Sequence, residues 1–276
     1  MRAVLAALFA ACSCAAFFCT PLRADYSYER HIQITAGELY DALRAQQPPP
    51  RKPGSREPVG AANVTTTNLI KGNRMALIAK GHTTVIDIAA ETITEIEFSK
   101  KTYSVLPFSQ MKKLLEDAAA RDPDEASFNV TVQRPGQTKT VGILNASETI
   151  LSLAGASGGQ NIIVDSWIGT VPGYEQMIDF NRRLAAKMGD AFASGMALLA
   201  LSAPQTLQGF GEAAKELNKL TGAPFQTTIK ITGASGILAE ASIHLDNFGG
   251  GSQDVTKFDP PAGFKKVDAV LPALPK

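Results

Sequence analysis

Between residues 64 and 106 the chain repeats one pattern five times. The runs 64–70, 74–80, 83–88, 92–98 and 102–106 are rich in Val, Ile, Leu and Thr. Turn-forming residues separate them: Lys71-Gly72-Asn73, Gly81-His82, Ala89-Ala90-Glu91 and Ser99-Lys100-Lys101. Short β-branched runs between such turns predict strands. Connections of two to four residues join antiparallel neighbours, so the segment reads as a meander of hairpins. An earlier strand is predicted at 26–35, where Tyr26, Tyr28, Arg30, Ile32 and Ile34 occupy every second position. Four more follow at 128–133, 138–144, 148–153 and 161–168. They are set apart by Arg134-Pro135-Gly136-Gln137, Asn145-Ala146-Ser147 and a glycine-rich loop at 155–159. Two further runs lie at 225–232 and 237–245.

The apolar period changes to that of a helix at 108–121. There Phe108, Met111, Leu114, Leu115, Ala118 and Ala119 share one side, and Asp122-Pro123 stops the run. A second helix is expected after Pro172-Gly173 and as far as Met188. Its apolar side is Tyr174, Met177, Ile178, Leu184, Ala185 and Met188, with Gly189 as its C-cap. A small-residue apolar segment at 192–201 and an amphipathic helix at 207–220 come next, with Pro204 between them. Strands that follow one another directly, with helices gathered after strand groups, predict an α+β fold. We expect a strongly curved antiparallel sheet, an incomplete or half β-barrel, with helices covering its concave face. A doubly wound parallel sheet would alternate strand and helix throughout.

All three cysteines, Cys12, Cys14 and Cys19, fall in an apolar stretch near the start that follows a lone Arg2. With Leu22-Arg23-Ala24 behind it, residues 1–24 read as a signal peptide cut after Ala24. A lipid anchor at Cys12 is the alternative. The stretch is shorter than the roughly 20 apolar residues of a spanning helix. The expected destination is the periplasm or the exterior. Residues 25–268 are expected to form one domain with a proline-rich loop at 46–60, ending in a disordered tail at 269–276. Gly249-Gly250-Gly251 reads as a hinge.

Removing Arg2 and Arg23 from 27 basic residues leaves 25 against 26 acidic ones, a net −1. That balance gives no field for capturing nucleic acid. A product without cysteine forms no disulfide. Three scattered histidines, His31, His82 and His244, show no ligand spacing along the chain, so neither a metal nor a cofactor is expected.

Several segments resemble the lipoprotein-carrier superfamily of LolA and LolB. They are Lys71-Gly72-Asn73-Arg74-Met75; Val85-Ile86-Asp87 with Ile96 to Tyr103; and Gly222-Ala223-Pro224 with Phe258-Asp259-Pro260-Pro261-Ala262-Gly263-Phe264-Lys265-Lys266. Asp165-Ser166-Trp167-Ile168 running into Val171-Pro172-Gly173-Tyr174 is most similar, within that superfamily, to a bacterial domain family of unknown function. The resemblance implies an apolar cavity able to hold acyl chains or another apolar ligand. It also implies a role without catalysis, with an apolar ligand or a lipidated protein as partner. The carriers have an arginine that holds their lid, and no residue here matches it by motif.

The cavity candidates are Trp167, Met111, Leu115, Met177 and Phe192. Trp167 is the single tryptophan, and methionine adapts to irregular apolar surfaces. Phe192 opens the 192–201 segment, which could cap a cavity or touch a membrane surface peripherally. An envelope protein–protein interaction and sensing module with a filled core is the second functional class. A serine hydrolase using Ser157 is the third. Gly155-Ala156-Ser157-Gly158-Gly159 has the G-x-S-x-G spacing, but it leads into a predicted strand where the nucleophile elbow needs a helix.

Overall fold

The computed structural model describes residues 25–41 apart from Leu39, 63–119, 128–155 apart from Ile143, 161–189 and 222–269, together with 216, 219 and 220. The expected signal peptide, the proline-rich loop, the 192–201 segment, Ser157 and the end of the tail lie outside these residues. So does nearly all of the expected helix at 207–220.

Six strands open the fold: β1 (Tyr26–Ala36), β2 (Asn63–Lys71), β3 (Arg74–Ala79), β4 (His82–Asp87), β5 (Thr92–Glu97) and β6 (Thr102–Pro107). Helix α1 (Phe108–Ala119) follows. Then come β7 (Phe128–Gln133), β8 (Thr138–Val141), β9 (Leu144–Gly155) and β10 (Asn161–Gly169), and helix α2 (Glu175–Met188). The chain returns in β11 (Ala223–Gly233), β12 (Gly236–Gly250) and the two-residue β13 (Lys265–Lys266). All thirteen strands form one open sheet. From β1 the chain walks outward through β2 to β6. It restarts at the opposite edge with β7 and β8, both on β9, and walks inward through β10 and β11 to β12. There β12 pairs with β1, so the first strand is the seam between two antiparallel meanders. Only β13, laid on β6, is parallel.

The tight turns sit where the glycines are. Gly72 and Gly81 take positive φ of 58° and 79°, and Glu91 and Lys101 adopt the same left-handed region. Two expected turns are corrected. The β8–β9 hairpin turns at Gly142, whose φ is 61°. Asn145-Ala146-Ser147 instead lies inside β9, where Ala146 and Ser147 face Gly169 and Ile168 of β10. Gly142 reaches left-handed backbone without strain, whereas a two-sided ladder holds 145–147 extended. The expected hinge is also strand: Gly249 and Gly250 pair with Ser27 and Tyr26.

Register places the main core. Tyr26, Ile70, Met75, Ile86, Ile93 and Leu106 are successive cross-strand partners over β1 to β6. With them pack Phe108 and Met111 of α1 and Phe180, Leu184 and Met188 of α2. Helix α2 is tied to the same meander by Arg183, which donates to the Gly72 carbonyl at 2.9 Å and to Asn73 Oδ1. Burying a side chain such as Phe180 contributes about 1.5–3 kcal/mol.

The other face of β2–β5 is covered too. Leu69, Ala76, Val85 and Ile96 pack against Phe258, which is 1% exposed and ends a 3₁₀ turn at Val255–Phe258. Arg74 clamps this C-terminal strap. It donates to the Phe258 carbonyl and to Asp259 Oδ1 at 2.7 Å, and its guanidinium lies 5.4 Å from the Phe258 ring.

Candidate functional site

Continuing along β1, the core face of the sheet changes character. After Tyr26 and Tyr28 the next residue on that face is Arg30, opposite Thr66 of β2 and Leu245 of β12. Its Nε is buried and has no hydrogen-bond partner among the described residues. A charged donor held there without an acceptor is costly unless something supplies one. Asn68, opposite Tyr28, is fully buried. Its Nδ2 donates at 3.2 Å to the Thr66 carbonyl and hydroxyl, while its Oδ1 has no partner among the described residues.

The next row on this face is apolar at the seam and polar beyond it. Ile32 of β1 faces Ile243 of β12, Ile243 faces Thr227, Thr227 faces Ser166, and Ser166 faces Thr149. Thr149, Ser166 and Thr227 are buried, and the Ser166 and Thr227 hydroxyls lie 3.1 Å apart. On one side of this row is the aromatic cluster of Tyr26, Tyr28, Tyr174, Phe225 and Phe248, with ring centroids 5.8–6.4 Å apart. On the other is an aliphatic cluster of Leu151, Leu153, Ile162, Val164, Ile229, Ile231 and Ala239. Burial pushes the phenols of Tyr28 and Tyr174 up from their ordinary range, and the positive charge of Arg30 acts the other way on both. Arg30 therefore stands on β1 between the aromatic residue Tyr28 and Ile32, whose row carries the hydroxyls of β9, β10 and β11.

Three of the five expected cavity residues lie in or against the main core. Met111 is buried in the main core. Met177 is half-buried, and its sulfur accepts the Tyr28 hydroxyl at 3.6 Å. Trp167 is half-buried against the core edge, with Lys139 Nζ 3.9 Å from its ring centre and 2.8 Å from Gln226 Oε1. Leu115 lies within α1, but its side chain, like Phe192, is outside the described residues. Asp87 shapes the turn that follows β4, where its Oδ1 accepts from the amides of Ala89 and Ala90, both at 2.9 Å. His82 Nε2 lies 2.5 Å from Glu95 Oε2, and burial raises the Glu95 pKa above its ordinary value. Sequence reading passed over Arg30 and Asn68 as site residues. The signal for Arg30 was present, as a charge at an apolar position of the 26–34 alternation.

No protein-family model matches the chain, and no curated protein matches it. Among solved structures, a LolA superfamily protein from Nitrosomonas europaea is similar over 86% of this chain and 90% of its own, with a TM-score of 0.28 and 9% identity. A superposition that loose assigns neither family nor function. The architecture described above rests on the chain's own strand order and register. No helix among the described residues is long and apolar enough to cross a membrane.

Proposed function

We propose that this protein is an exported, non-catalytic binder of an amphiphilic ligand, an acyl chain or a lipidated segment, on the core face of its sheet beside Arg30. One observation carries the reading. A guanidinium whose buried Nε–H has no partner among the described residues follows the aromatic residues Tyr26 and Tyr28 on the core face, opposite the Thr66 hydroxyl side chain and Leu245. An acyl carboxylate or ester would supply the missing acceptor, and its chain would lie along one of the apolar clusters. Each methylene buried adds about 0.8 kcal/mol. A hydrogen bond to a charged group adds about 1.5–3 kcal/mol. The head would thus set orientation and the tail most of the affinity, with weak discrimination of chain length. The apolar sequence of 1–24, read as a signal peptide, supports a site of action in the periplasm or outside the cell.

The test is titration of the purified mature protein with a naturally fluorescent fatty acid, alongside solvent extraction and mass spectrometry for co-purified lipid. Saturable binding is expected, weakened at least tenfold by Arg30→Gln with an unchanged circular dichroism spectrum. If neither probe uptake nor co-purified lipid is detected, the reading fails. The packing of Phe180, Leu184 and Met188 into the main core would then favour a filled-core interaction module.

A further inference from the structure

The opposite face of the same seam carries a second constellation, independent of the ligand reading above. His31 of β1 and His244 of β12 are direct cross-strand partners, and so are Glu29 and Asp246. The pairing gathers two imidazoles and two carboxylates that lie more than 200 residues apart along the chain. His31 Nε2 is 3.1 Å from Asp246 Oδ1 and 3.8 Å from Glu29 Oε2. His244 Nε2 is 3.7 Å from Asp246 Oδ2, and the two imidazole rings lie 6.3 Å apart, inclined by 29°.

We propose that Glu29, His31 and Asp246, completed by His244, form a binding site for a divalent transition-metal ion of the zinc class. Ligand atoms about 2.1 Å from a tetrahedral ion stand about 3.4 Å from one another. From His31 Nε2 the separations of 3.1 Å to Asp246 Oδ1 and 3.8 Å to Glu29 Oε2 bracket that value, and His244 Nε2 stands 3.7 Å from the other Asp246 oxygen, Oδ2, as the neighbouring fourth donor. A pair of imidazole nitrogens with carboxylate oxygens suits zinc or copper, and is poorly matched to calcium or magnesium, which take oxygen donors.

The surroundings hold the donors in place. His31 Nδ1 lies 3.0 Å from the Thr65 hydroxyl of β2. With a metal on Nε2, Nδ1–H would donate to that hydroxyl, the outer contact that orients a ligating imidazole. Asn247 Nδ2 donates to Glu29 Oε2 at 2.9 Å. Asn247 has a φ of 50°, and the β1–β12 register shifts there by one residue. Tyr28 therefore faces an extra residue on β12. The shift lets Phe248 join the core while Asp246 points to the other face, beside His31. Bulges commonly re-aim one side chain in this way.

The experiment is calorimetric titration of tag-free, chelator-stripped full mature protein with Zn²⁺, repeated with Co²⁺ followed by its d–d absorption. One ion per chain is expected to bind with a Kd in the micromolar range, since the donors are half-exposed, and to release protons on binding. His31→Ala and His244→Ala should each weaken binding at least tenfold. The Co²⁺ spectrum should lose its four-coordinate intensity in both. Asn247→Gly, which keeps the left-handed backbone, should weaken binding several-fold. Binding absent up to millimolar Zn²⁺, or wild-type affinity in a folded His31→Ala variant, overturns the site.

Discussion

Tyr26 shows how much a single side chain is asked to do here. It is 1% exposed, packs edge-on to Tyr174 at 6.4 Å, and its hydroxyl has no partner among the described residues. Beside it Gly173 has a φ of 84°, and a methyl group there would sit 2.8 Å from the Tyr26 ring. The Pro172-Gly173 turn is thus shaped by the tyrosine it passes. Burial raises the phenol pKa of Tyr26, Tyr28 and Tyr174 above the ordinary value of 10.0. Above pH 10 the unfolded chain therefore gives up these protons while the folded one retains them. Their contribution to stability is complete below pH 10 and falls as pH rises from there. Tyr26→Phe should be neutral or stabilising by up to about 1 kcal/mol at pH 7, because it removes a buried hydroxyl that lacks a partner. It should also make the fall in Tm between pH 10 and 11.5 shallower, which thermal unfolding across that range would reveal. An unchanged slope would mean the Tyr26 phenol ionises freely in the native state.

At the scale of elements, the C-terminal strap explains the otherwise exposed apolar residues of the first meander. Leu69, Ala76, Val85 and Ile96 alternate with the core residues of their strands and would meet water without Phe258. Phe98 and Phe264, 5.6 Å apart and edge-on, close its far end. Lys265 and Lys266 then pair with β6, so the sheet's edge is short and charged, which discourages pairing with another chain. Phe258→Ala is expected to cost about 3–5 kcal/mol, the range for truncating a buried phenylalanine. Urea denaturation should register it as a lower midpoint. A loss under 1 kcal/mol would mean that the strap merely rests on the sheet.

For the whole molecule the decisive feature is β1. Among the described strands it alone hydrogen-bonds to both meanders, to β2 on one side and to β12 on the other. Amides of β1 and β12 are expected to exchange only through global unfolding, and those of β7 and β8 through local opening at the edge. Hydrogen exchange followed by mass spectrometry would show this as the slowest deuterium uptake in 26–34 and 241–246. Two separate protection plateaus, one per meander, would instead make the seam a joint between independent units.

Much of this architecture was legible before any fold was known. Alternation and turn chemistry placed the strands from β2 to β6 and both described helices, because these depend on neighbours in the chain. The same local logic misjudged 145–147 and 249–250. Polar and glycine residues there would turn if free, and cross-strand hydrogen bonds hold them extended. The sites belong to the other category. Arg30 was visible as a charge in an apolar alternation, but the hydroxyls of the next row on its face come from β9, β10 and β11. The histidines seemed scattered because their spacing along the chain carries no ligand signature. The β1–β12 register and the extra residue at Asn247 bring them together with two carboxylates. Local periodicity is a property of the chain itself. Which strand meets which, and in what register, is settled only when the two meanders close on β1.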